Sequence, residues 1–484
     1  MKKYNVVIVG AGISGLLAAL TLSKHGKKVL VLEKNRYLGG NCNSYMVDGY
    51  QVDTGVHAIS HLIEGPLRRL IENYFDFRPV FENYGRYYVR TEDNFIKIPS
   101  NLKDFATFDV LSRKDRLVLS QAITKALTLS SFGIDLSNQS VYEFLPKNLS
   151  KDTYDFVNTI SGFLSGRSMK ETSAQRILAG SSFVRDSITQ DQFDAMIGKI
   201  EPKKRQSTES ILASIRPSHL QASLQARMNR VTQPFTSLER LATNNVQYSQ
   251  GYPRKGLKTL LNSILYSLPE GVEIKKECEV TGILVQDGKV LGVEADEIYP
   301  AEIVVYTGFA TELPKLIKEL PAAYIEELGG IIRSKSLTIW LGLDRELPEF
   351  NYIGSEIWFK DFAYWAAPIS NYDKSLAPKG KQLTGFSFVI DEQKSEEHER
   401  KKAYDIISRA LPNIEKHIEM QHEQIMIPEK ASVSIEGKFA DIRTPVKNLY
   451  IAGTDTDRRS MGITRAAYST IELLKILNED GLLH

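Results

Sequence analysis

The sequence predicts an α/β fold in which a discontinuous Rossmann-like nucleotide-binding domain carries an inserted α+β part of mixed sheet and helices. Three blocks of the 484-residue chain support this prediction. A strand–turn–helix–strand pattern opens the chain, a helix followed by strands lies at mid-chain, and a strand followed by a long helix comes near the end. The two long segments between the blocks leave room for two or three domains.

The first block has the pattern of a nucleotide-binding βαβ unit. It comprises a strand, a GxGxxG turn, a helix and a second strand closed by an acid, at Tyr4–Val9, residues 10–15, residues 13–22, Val29–Leu32 and Glu33. Gly10 permits the tight turn, Gly12 lets the backbone approach a pyrophosphate, and Gly15 lets the helix pack closely on the strand. The helix N-terminus offers N–H groups to phosphates, and Glu33 can accept a hydrogen bond from a ribose hydroxyl. The unit predicts a dinucleotide without distinguishing which one.

A glycine pair and a hairpin extend this block. Gly39 and Gly40 follow the second strand within a few residues, and Asp48-Gly49 is a turn signal between two alternating stretches. We therefore predict a hairpin over residues 44–54, which a bare NAD-binding unit does not need. Cys42 lies in this region and is interpreted as a small packed residue.

The middle block, residues 251–308, predicts one helix and several strands. Gly256 precedes apolar residues at helical spacing. Strands are predicted at residues 273–276, 279–286, 289–295 and 303–306. Asp287-Gly288 forms the hairpin turn between the second and third of these strands.

The last block, residues 445–477, predicts a short strand over residues 449–452 that ends at Gly453. A loop carrying Asp455 and Asp457 leads to Gly462. A helix with apolar positions at helical spacing is predicted over residues 463–477.

In this order, the three blocks resemble the FAD-dependent superfamily that includes amine oxidases, protoporphyrinogen oxidases, phytoene desaturases and UDP-galactopyranose mutases. Residues 251–260, 375–388 and 442–453 make the chain most similar to the phytoene desaturase and carotenoid isomerase group. Two departures stand out. The superfamily usually has Arg after the glycine pair, where this chain has Asn41, and it often has Gly-Asp at the last turn, where this chain has Gly453-Thr454-Asp455.

The resemblance implies FAD as the cofactor. It places backbone atoms of Val280 at the adenine, the turn from Gly453 to Asp455 beside the ribityl-phosphate, and the backbone of Gly462 and Ile463 against the flavin pyrimidine edge. A helix dipole there stabilises the negative charge of reduced flavin. The full set of predicted cofactor-binding residues is Gly10, Gly12, Ile13, Ser14, Gly15, Glu33, Lys34, Gly39, Gly40, Asn41, His57, Val280, Gly453, Asp455, Gly462 and Ile463.

Two of these residues carry an open interpretation. His57 follows a turn that relatives bring near the isoalloxazine ring, but a packed or backbone-bonded histidine is the competing interpretation. Asn41 offers only a neutral hydrogen bond where the usual Arg offers a charge, so a phosphate contact is lost and FAD affinity is expected to be modest.

The predicted domain division assigns residues 1–98, 240–310 and 436–484 to the FAD-binding domain, and residues 99–239 and 311–435 to the substrate domain. Within the predicted substrate domain, helices are predicted at residues 112–129, 154–164, 208–228 and 395–411, and strands at 336–343 and 382–390. Aromatic residues such as Trp358 and Tyr364 could line an apolar substrate tunnel. A sheet core with aromatic edges is an equally good interpretation.

Composition limits the partners. A net charge of +2 excludes a strongly basic nucleic-acid binder, and two distant cysteines indicate neither a disulfide framework nor a metal cluster. No secretory signal and no long apolar run is evident, so a cytoplasmic protein is expected. The basic stretch over residues 202–233 fits either a peripheral membrane contact or an ordinary exposed helix.

The leading functional hypothesis is an FAD-dependent oxidoreductase that acts on an isoprenoid or carotenoid-like lipid as desaturase, saturase or isomerase. An apolar polyene needs little acid–base help, so no catalytic residue is assigned. Three alternatives stay open: a flavin amine oxidase, a redox-neutral sugar-nucleotide mutase, and a non-catalytic binder of prenylated proteins similar to the Rab GDP-dissociation inhibitors.

Overall fold

The structure, a computed structural model, describes residues 3–99, 102–177, 188–198 and 250–483. The predicted helix over residues 208–228 and the basic stretch over residues 202–233 lie outside the described residues. The described strands are β1 (Tyr4–Val9), β2 (Val29–Leu32), β3 (Ser44–Val47), β4 (Tyr50–Asp53), β5 (Phe81–Asn83), β6 (Arg86–Arg90), β7 (Phe95–Lys97), β8 (Gly251–Pro253), β9 (Glu273–Lys275), β10 (Gly282–Gln286), β11 (Lys289–Glu294), β12 (Ile298–Tyr306), β13 (Ser334–Leu343), β14 (Gly354–Trp358), β15 (Tyr364–Ala367), β16 (Gln382–Val389), β17 (Ile418–Glu429) and β18 (Leu449–Ile451). The described α-helices are α1 (Ile13–Lys24), α2 (Pro66–Tyr74), α3 (Leu102–Phe105), α4 (Arg113–Ser131), α5 (Val141–Phe144), α6 (Lys151–Ser165), α7 (Ala174–Ile177), α8 (Gln190–Ile197), α9 (Leu257–Ser267), α10 (Ala322–Gly329), α11 (Glu396–Ala410) and α12 (Gly462–Glu479).

The first sheet has seven strands in the order β10-β11-β12-β1-β2-β9, and β18 pairs with β12. Its centre is parallel, with Val7 of β1 opposite Leu30 and Val304. A parallel sheet is covered on both faces, and successive side chains of each strand point alternately into the two cores. Val6 and Ile8 pack with α1 and α12, whereas Val7 packs into the core on the opposite face. The carboxyl ends of β1, β12 and β18 therefore share one edge, which is where open α/β sheets bind ligands.

The predicted hairpin over residues 44–54 is confirmed as β3–β4, in which Ser44 pairs with Asp53. Both of these side chains reach the start of helix α9. The backbone N–H of Leu257 donates to Asp53 Oδ1 at 3.2 Å, and that of Lys258 donates to Ser44 Oγ at 2.9 Å. Gly256, the residue before the helix, has a φ of +84° and no side chain of its own to cap it. The first block thus caps the helix of the middle block.

The second sheet runs β17-β13-β16-β15-β14-β6-β7. On β13, Leu337, Ile339 and Leu341 pack against α11, while Trp340 lies on the opposite face in a cluster with Tyr50 of the hairpin. Trp358 and Tyr364 belong to the core under α11, so they follow the sheet-core interpretation rather than the tunnel one. Because β6 and β7 pair into this sheet, residues 86–97 are joined by strand pairing to the second sheet and not to the first.

Helices α4 to α7 form a layer at one end of the second sheet. Leu119 of α4 and Phe156 of α6 share a buried cluster with Val89, Ile357 and Phe359 of the sheet edge. Helix α6 covers the predicted helix at residues 154–164 and begins earlier. Its N-cap is a serine whose side chain accepts from the third helical N–H, which sets the start of the helix.

One predicted strand is shorter than expected. The strand predicted at residues 279–286 begins only at Gly282, because the preceding chain bonds across the end of β2. There the Cys278 N–H donates to the Glu33 carbonyl at 2.9 Å. Within the described ranges, no helix is long and apolar enough to cross a membrane.

Candidate functional site

The glycine turn between β1 and α1 has the geometry of a phosphate-binding loop. Gly10 has a φ of +103°, which a side chain rarely adopts, and a Cβ on Gly15 would lie 2.1 Å from the Gly10 carbonyl oxygen. A Cβ on Gly12 would meet no protein atom within 4 Å. Helix α1 has no side-chain cap at Gly12, so the N–H groups of Ile13 and Ser14 face the open side of the turn.

Glu33 stabilises this turn, which the sequence did not predict. The N–H of Ala11 donates to Glu33 Oε2 at 2.7 Å, and the N–H and side chain of Asn35 both donate to Oε1. The carboxylate is buried at the end of β2, whereas Lys34 next to it is exposed. Val280 is buried two residues after Cys278, which bonds to the Glu33 backbone. The structure therefore brings the predicted adenine-side residues Glu33 and Val280 together.

The glycine pair packs directly on the turn. Gly39 forms a bridge with Gly12 and donates its N–H to the Ala11 carbonyl at 2.8 Å. A Cβ on Gly40 would lie 3.3 Å from the Gly12 Cα. Asn41 is exposed, and its side-chain amide donates to the Ile427 carbonyl at 2.9 Å. Its amide nitrogen thus bonds to the end of β17.

His57 is half-buried and bonded to its own turn. Its Nε2 donates to the Thr54 carbonyl at 2.7 Å, and burial lowers the pKa of the imidazole, so the ring is neutral at pH 7. The same turn contacts β17, because the Gly55 N–H donates to Gln424 Oε1 at 2.8 Å. The structure shows the backbone-bonded histidine of the competing interpretation.

The turn after β18 separates its two acids. Asp455 is 1% exposed and accepts from the Ala310 N–H at 2.7 Å through Oδ2, while its buried Oδ1 has no partner among the described residues. Asp457 instead pairs with Arg459, at 2.6 Å between Oδ2 and Nη2. A buried carboxylate oxygen without a donor is costly, so Asp455 fits a hydroxyl-bearing ligand at this turn.

Helix α12 begins at this edge, but its first N–H already has an acceptor. The Gly462 N–H donates to Glu429 Oε1 at 2.5 Å, and Glu429 Oε2 accepts from Arg465 Nη1 at 2.7 Å. Burial raises the pKa of Glu429, with Arg465 acting in the opposite direction. Ile463, the next residue of α12, is also buried. Glu429 and Arg465 were missed because nothing local in the sequence marks either as a site residue.

Lys430 is a further charged group at this edge that the sequence did not single out. Its Nζ donates to the carbonyls of Thr307 and Gly308, both at 2.6 Å. Burial lowers the pKa of the ammonium, and the nearby Asp455 opposes that shift. The edge therefore carries uncapped N–H groups, a carboxylate oxygen without a donor and the part-buried ammonium of Lys430, a set of polar groups that fits a dinucleotide. Among the described residues there is no cluster of three or more potential metal ligands.

Comparison with known proteins agrees with this geometry. Residues 8–74 match the family model of an NAD(P)-binding Rossmann-like domain. An uncharacterized protein of the nifH2 3′ region from Methanothermococcus thermolithotrophicus is 54% identical over 102 residues, 21% of this chain and 98% of that protein.

Two further relatives have named activities. The human all-trans-retinol 13,14-reductase is 40% identical over 84 residues, 16% of this chain and 14% of the reductase. The 1-hydroxycarotenoid 3,4-desaturase of Flavobacterium sp. is 31% identical over 169 residues, 34% of this chain and 33% of the desaturase. The match to these two enzymes thus spans a third of their length or less.

Solved structures share the whole fold at low sequence identity. An oxidoreductase from Methanosarcina mazei has a TM-score of 0.70 and 19% identity, covering 97% of this chain and 99% of that one. Putrescine oxidase has a TM-score of 0.62 and 14% identity, covering 99% of both chains. At these identities, the likeness establishes the fold.

Proposed function

We propose that this chain is an FAD-dependent oxidoreductase of the superfamily of amine oxidases and phytoene desaturases, and that it transfers hydride between FAD and an apolar, isoprenoid or carotenoid-like lipid. One observation carries the proposal. Three blocks that are far apart in sequence meet at the carboxyl ends of β1, β12 and β18, around an uncapped helix N-terminus. The relatives named retinol reductase and carotenoid desaturase support the substrate class.

FAD rather than NAD is supported by the parts of the edge beyond the βαβ unit. Gly39 and Gly40 pack on Gly12 and lengthen the phosphate-binding surface. The buried Oδ1 of Asp455, which has no donor among the described residues, fits a hydroxyl of the ribityl chain or of a ribose. The residues of this edge therefore fit a flavin dinucleotide along its length.

FAD, when bound, supplies the hydride chemistry at N5. The chain's own residues hold and orient it. Glu33 fixes the glycine turn, α1 would present its N–H groups to the phosphates, and Asp455 would accept a hydrogen bond from the ribityl chain. The N-terminus of α12 provides a positive dipole end, part of which is already matched by the Glu429 carboxylate.

An apolar substrate is supported by the face of the second sheet that meets the hairpin. This face contributes Trp340 to an aromatic cluster with Tyr50, Tyr84 and Tyr252. Val56 and Ala58, which flank His57, pack against the same cluster. The aromatic side chains of the cluster are buried and packed, so they exclude water from the region beside His57. A hydride transfer to or from a polyene requires close placement and exclusion of water more than an acid–base pair.

The test is an absorption spectrum of the purified protein, followed by extraction of the flavin and of any copurified lipid. We expect the two visible bands of oxidised flavin, release of FAD, and anaerobic bleaching or reoxidation by retinoid or carotenoid substrates. Protein that stays colourless after incubation with FAD contradicts the proposal and favours a non-catalytic binder. Peroxide formed with putrescine but not with lipids favours an amine oxidase, and conversion of a sugar nucleotide without net redox change favours a mutase.

A further inference from the structure

The last residues of β17 cross the ligand edge and touch all three blocks. The Ile427 carbonyl accepts from Asn41, the Glu429 carboxylate accepts from the Gly462 N–H, and Lys430 donates to the carbonyls that follow β12. A strand of the second sheet thus delivers a lysine into the edge of the first.

The Lys430 ammonium carries a charge that its hydrogen-bond partners do not neutralise. Its partners at 2.6 Å are the neutral carbonyls of Thr307 and Gly308, and the carboxylate that acts on it is Asp455. An ammonium has three donors, and these two bonds use two of them. The Phe309 ring, whose centroid lies 5.3 Å from Nζ, offers a cation–π contact but no negative charge. A buried charge of this kind is stabilised by an anion that approaches the third.

The Lys430 ammonium lies beside two turns that contain glycine. Gly453 has no side chain, and a Cβ there would lie 3.3 Å from Lys430 Nζ. On the other side, the Thr307 hydroxyl donates to the Gly10 carbonyl at 3.0 Å, so Lys430 and the glycine turn contact the same residue. The ammonium therefore lies between the phosphate-binding turn and the turn that carries Asp455.

We infer that Lys430 is a pyrophosphate-binding residue of this protein, a full positive charge placed where Asn41 offers only a neutral amide that is already bonded to Ile427. The inference rests on the proposed FAD site. The N-terminus of α1 supplies partial charge alone, and a dinucleotide pyrophosphate carries two negative charges at neutral pH. Lys430 supplies the missing cation from the strand that links the two sheets, and Asp455 stays free to accept from the ribityl chain.

The experiment measures dissociation constants of FAD, and of ADP and adenosine in competition with FAD, for the wild type, Lys430→Gln and Lys430→Arg. Gln retains donors for the two carbonyls and removes the charge. We expect Lys430→Gln to raise the dissociation constants of FAD and ADP by about 10- to 100-fold and to change that of adenosine by less than about twofold. Lys430→Arg restores most of the loss, because it returns the charge. Lys335→Gln is the control, since Lys335 is also part-buried but lies on the second sheet, where it pairs with Glu396.

Two results overturn the inference. One is an unchanged FAD affinity in Lys430→Gln. The other is an equal loss of affinity for ADP and for adenosine, which would show that Lys430 only supports the local structure. If Lys430→Gln does not fold, inorganic pyrophosphate must protect Lys430 of the wild type from an amine-acylating reagent, and equal labelling with and without pyrophosphate refutes the assignment. A wild type that binds neither FAD nor ADP is the distinct outcome that refutes the proposed function itself.

Discussion

The Tyr252 hydroxyl donates a 2.5 Å hydrogen bond to Asp53 Oδ2 and so joins β8 of the middle block to the hairpin of the first. The other carboxylate oxygen accepts from Ser44 Oγ at 2.6 Å and from the Leu257 N–H. Asp53 is 1% exposed, yet each of its oxygens has a donor. This network holds two distant parts of the nucleotide-binding domain in one arrangement.

Stability should fall with rising pH because of Asp53. Burial raises its pKa to about 6, above the 3.8 of an ordinary Asp, although Ser44, Tyr252 and Leu257 each lower it. The folded state then binds the proton more tightly than the unfolded chain, so the favourable contribution is complete below pH 3.8 and is lost up to about pH 6. Asp53→Asn removes this titration. The unfolding free energy of the variant relative to wild type should rise by up to about 3 kcal/mol between pH 4 and 7 in urea titrations. A flat difference across that range would contradict the assignment.

Alanine substitutions at two glycines of the turn should affect different properties: Gly15→Ala should lower stability, and Gly12→Ala should lower FAD affinity. Gly15→Ala places a Cβ 2.1 Å from the Gly10 carbonyl oxygen, and we expect it to cost about 2–4 kcal/mol of unfolding free energy. Gly12→Ala meets no protein atom, and its φ of −69° suits alanine, so stability should change by less than about 0.5 kcal/mol. Its FAD affinity should nevertheless fall, because the methyl group occupies the approach to the phosphates. Thermal unfolding and FAD titration of the two variants check this; a destabilised Gly12→Ala would be the contrary result.

The two acids after β18 should respond differently to amide substitution. Asp455→Asn points an amide where the free carboxylate oxygen lies, and FAD affinity should fall about tenfold with the fold intact. Asp457→Asn weakens the pair with Arg459 and should lower stability by about 1 kcal/mol while leaving FAD binding within about twofold. Fluorescence titration of FAD, with circular dichroism as the control for folding, distinguishes them. Equal loss of FAD affinity in both variants would remove the special role of Asp455.

Removing one partner of the buried ion pair between Arg90 and Glu356 should lower the unfolding free energy strongly, whereas replacing both partners by apolar residues should lower it much less. Arg90 donates to both carboxylate oxygens, at 2.7 and 2.5 Å, and the hydroxyls of Tyr352 and Tyr364 complete the site. Arg90→Met alone leaves a fully buried carboxylate and should cost about 3–5 kcal/mol. The double variant Arg90→Met with Glu356→Leu should recover most of that loss. Urea unfolding of the four proteins of this cycle measures the coupling, and additive single effects would argue against it.

Much of the fold followed from local pattern. The βαβ unit, the hairpin over residues 44–54 and α12 were predictable because glycine spacing, Asp-Gly turns and helical periodicity are read within a few residues. The start of β10 was not, since a bond from Cys278 to Glu33 decides it, and these residues are far apart in the chain.

The parts of the candidate site formed by local backbone turns were predictable from the sequence. The side chains that reach the site from distant parts of the chain were not. Gly10, Gly15 and Gly39 show their roles through turn geometry alone. Glu429 and Lys430 reach the edge only because β17 runs from the second sheet to the first, a topological fact that no window of sequence contains. The same holds for Glu33, whose bond to Ala11 depends on the pairing of β1 and β2.

The parallel pairing of β1 also sets an order for folding during synthesis. Strand β1 leaves the ribosome before β12 and β18, and β2 follows it closely. The other neighbour of β1 is β12, in which Ala301 pairs with Tyr4, and β18 comes later still, so one edge of β1 stays unpaired until β12 has been synthesised. Contacts of such sequence separation form slowly and leave an apolar edge open to wrong partners. The nascent chain is therefore expected to need a chaperone until α12 has emerged, and the same interval delays the moment at which a cofactor can first be captured.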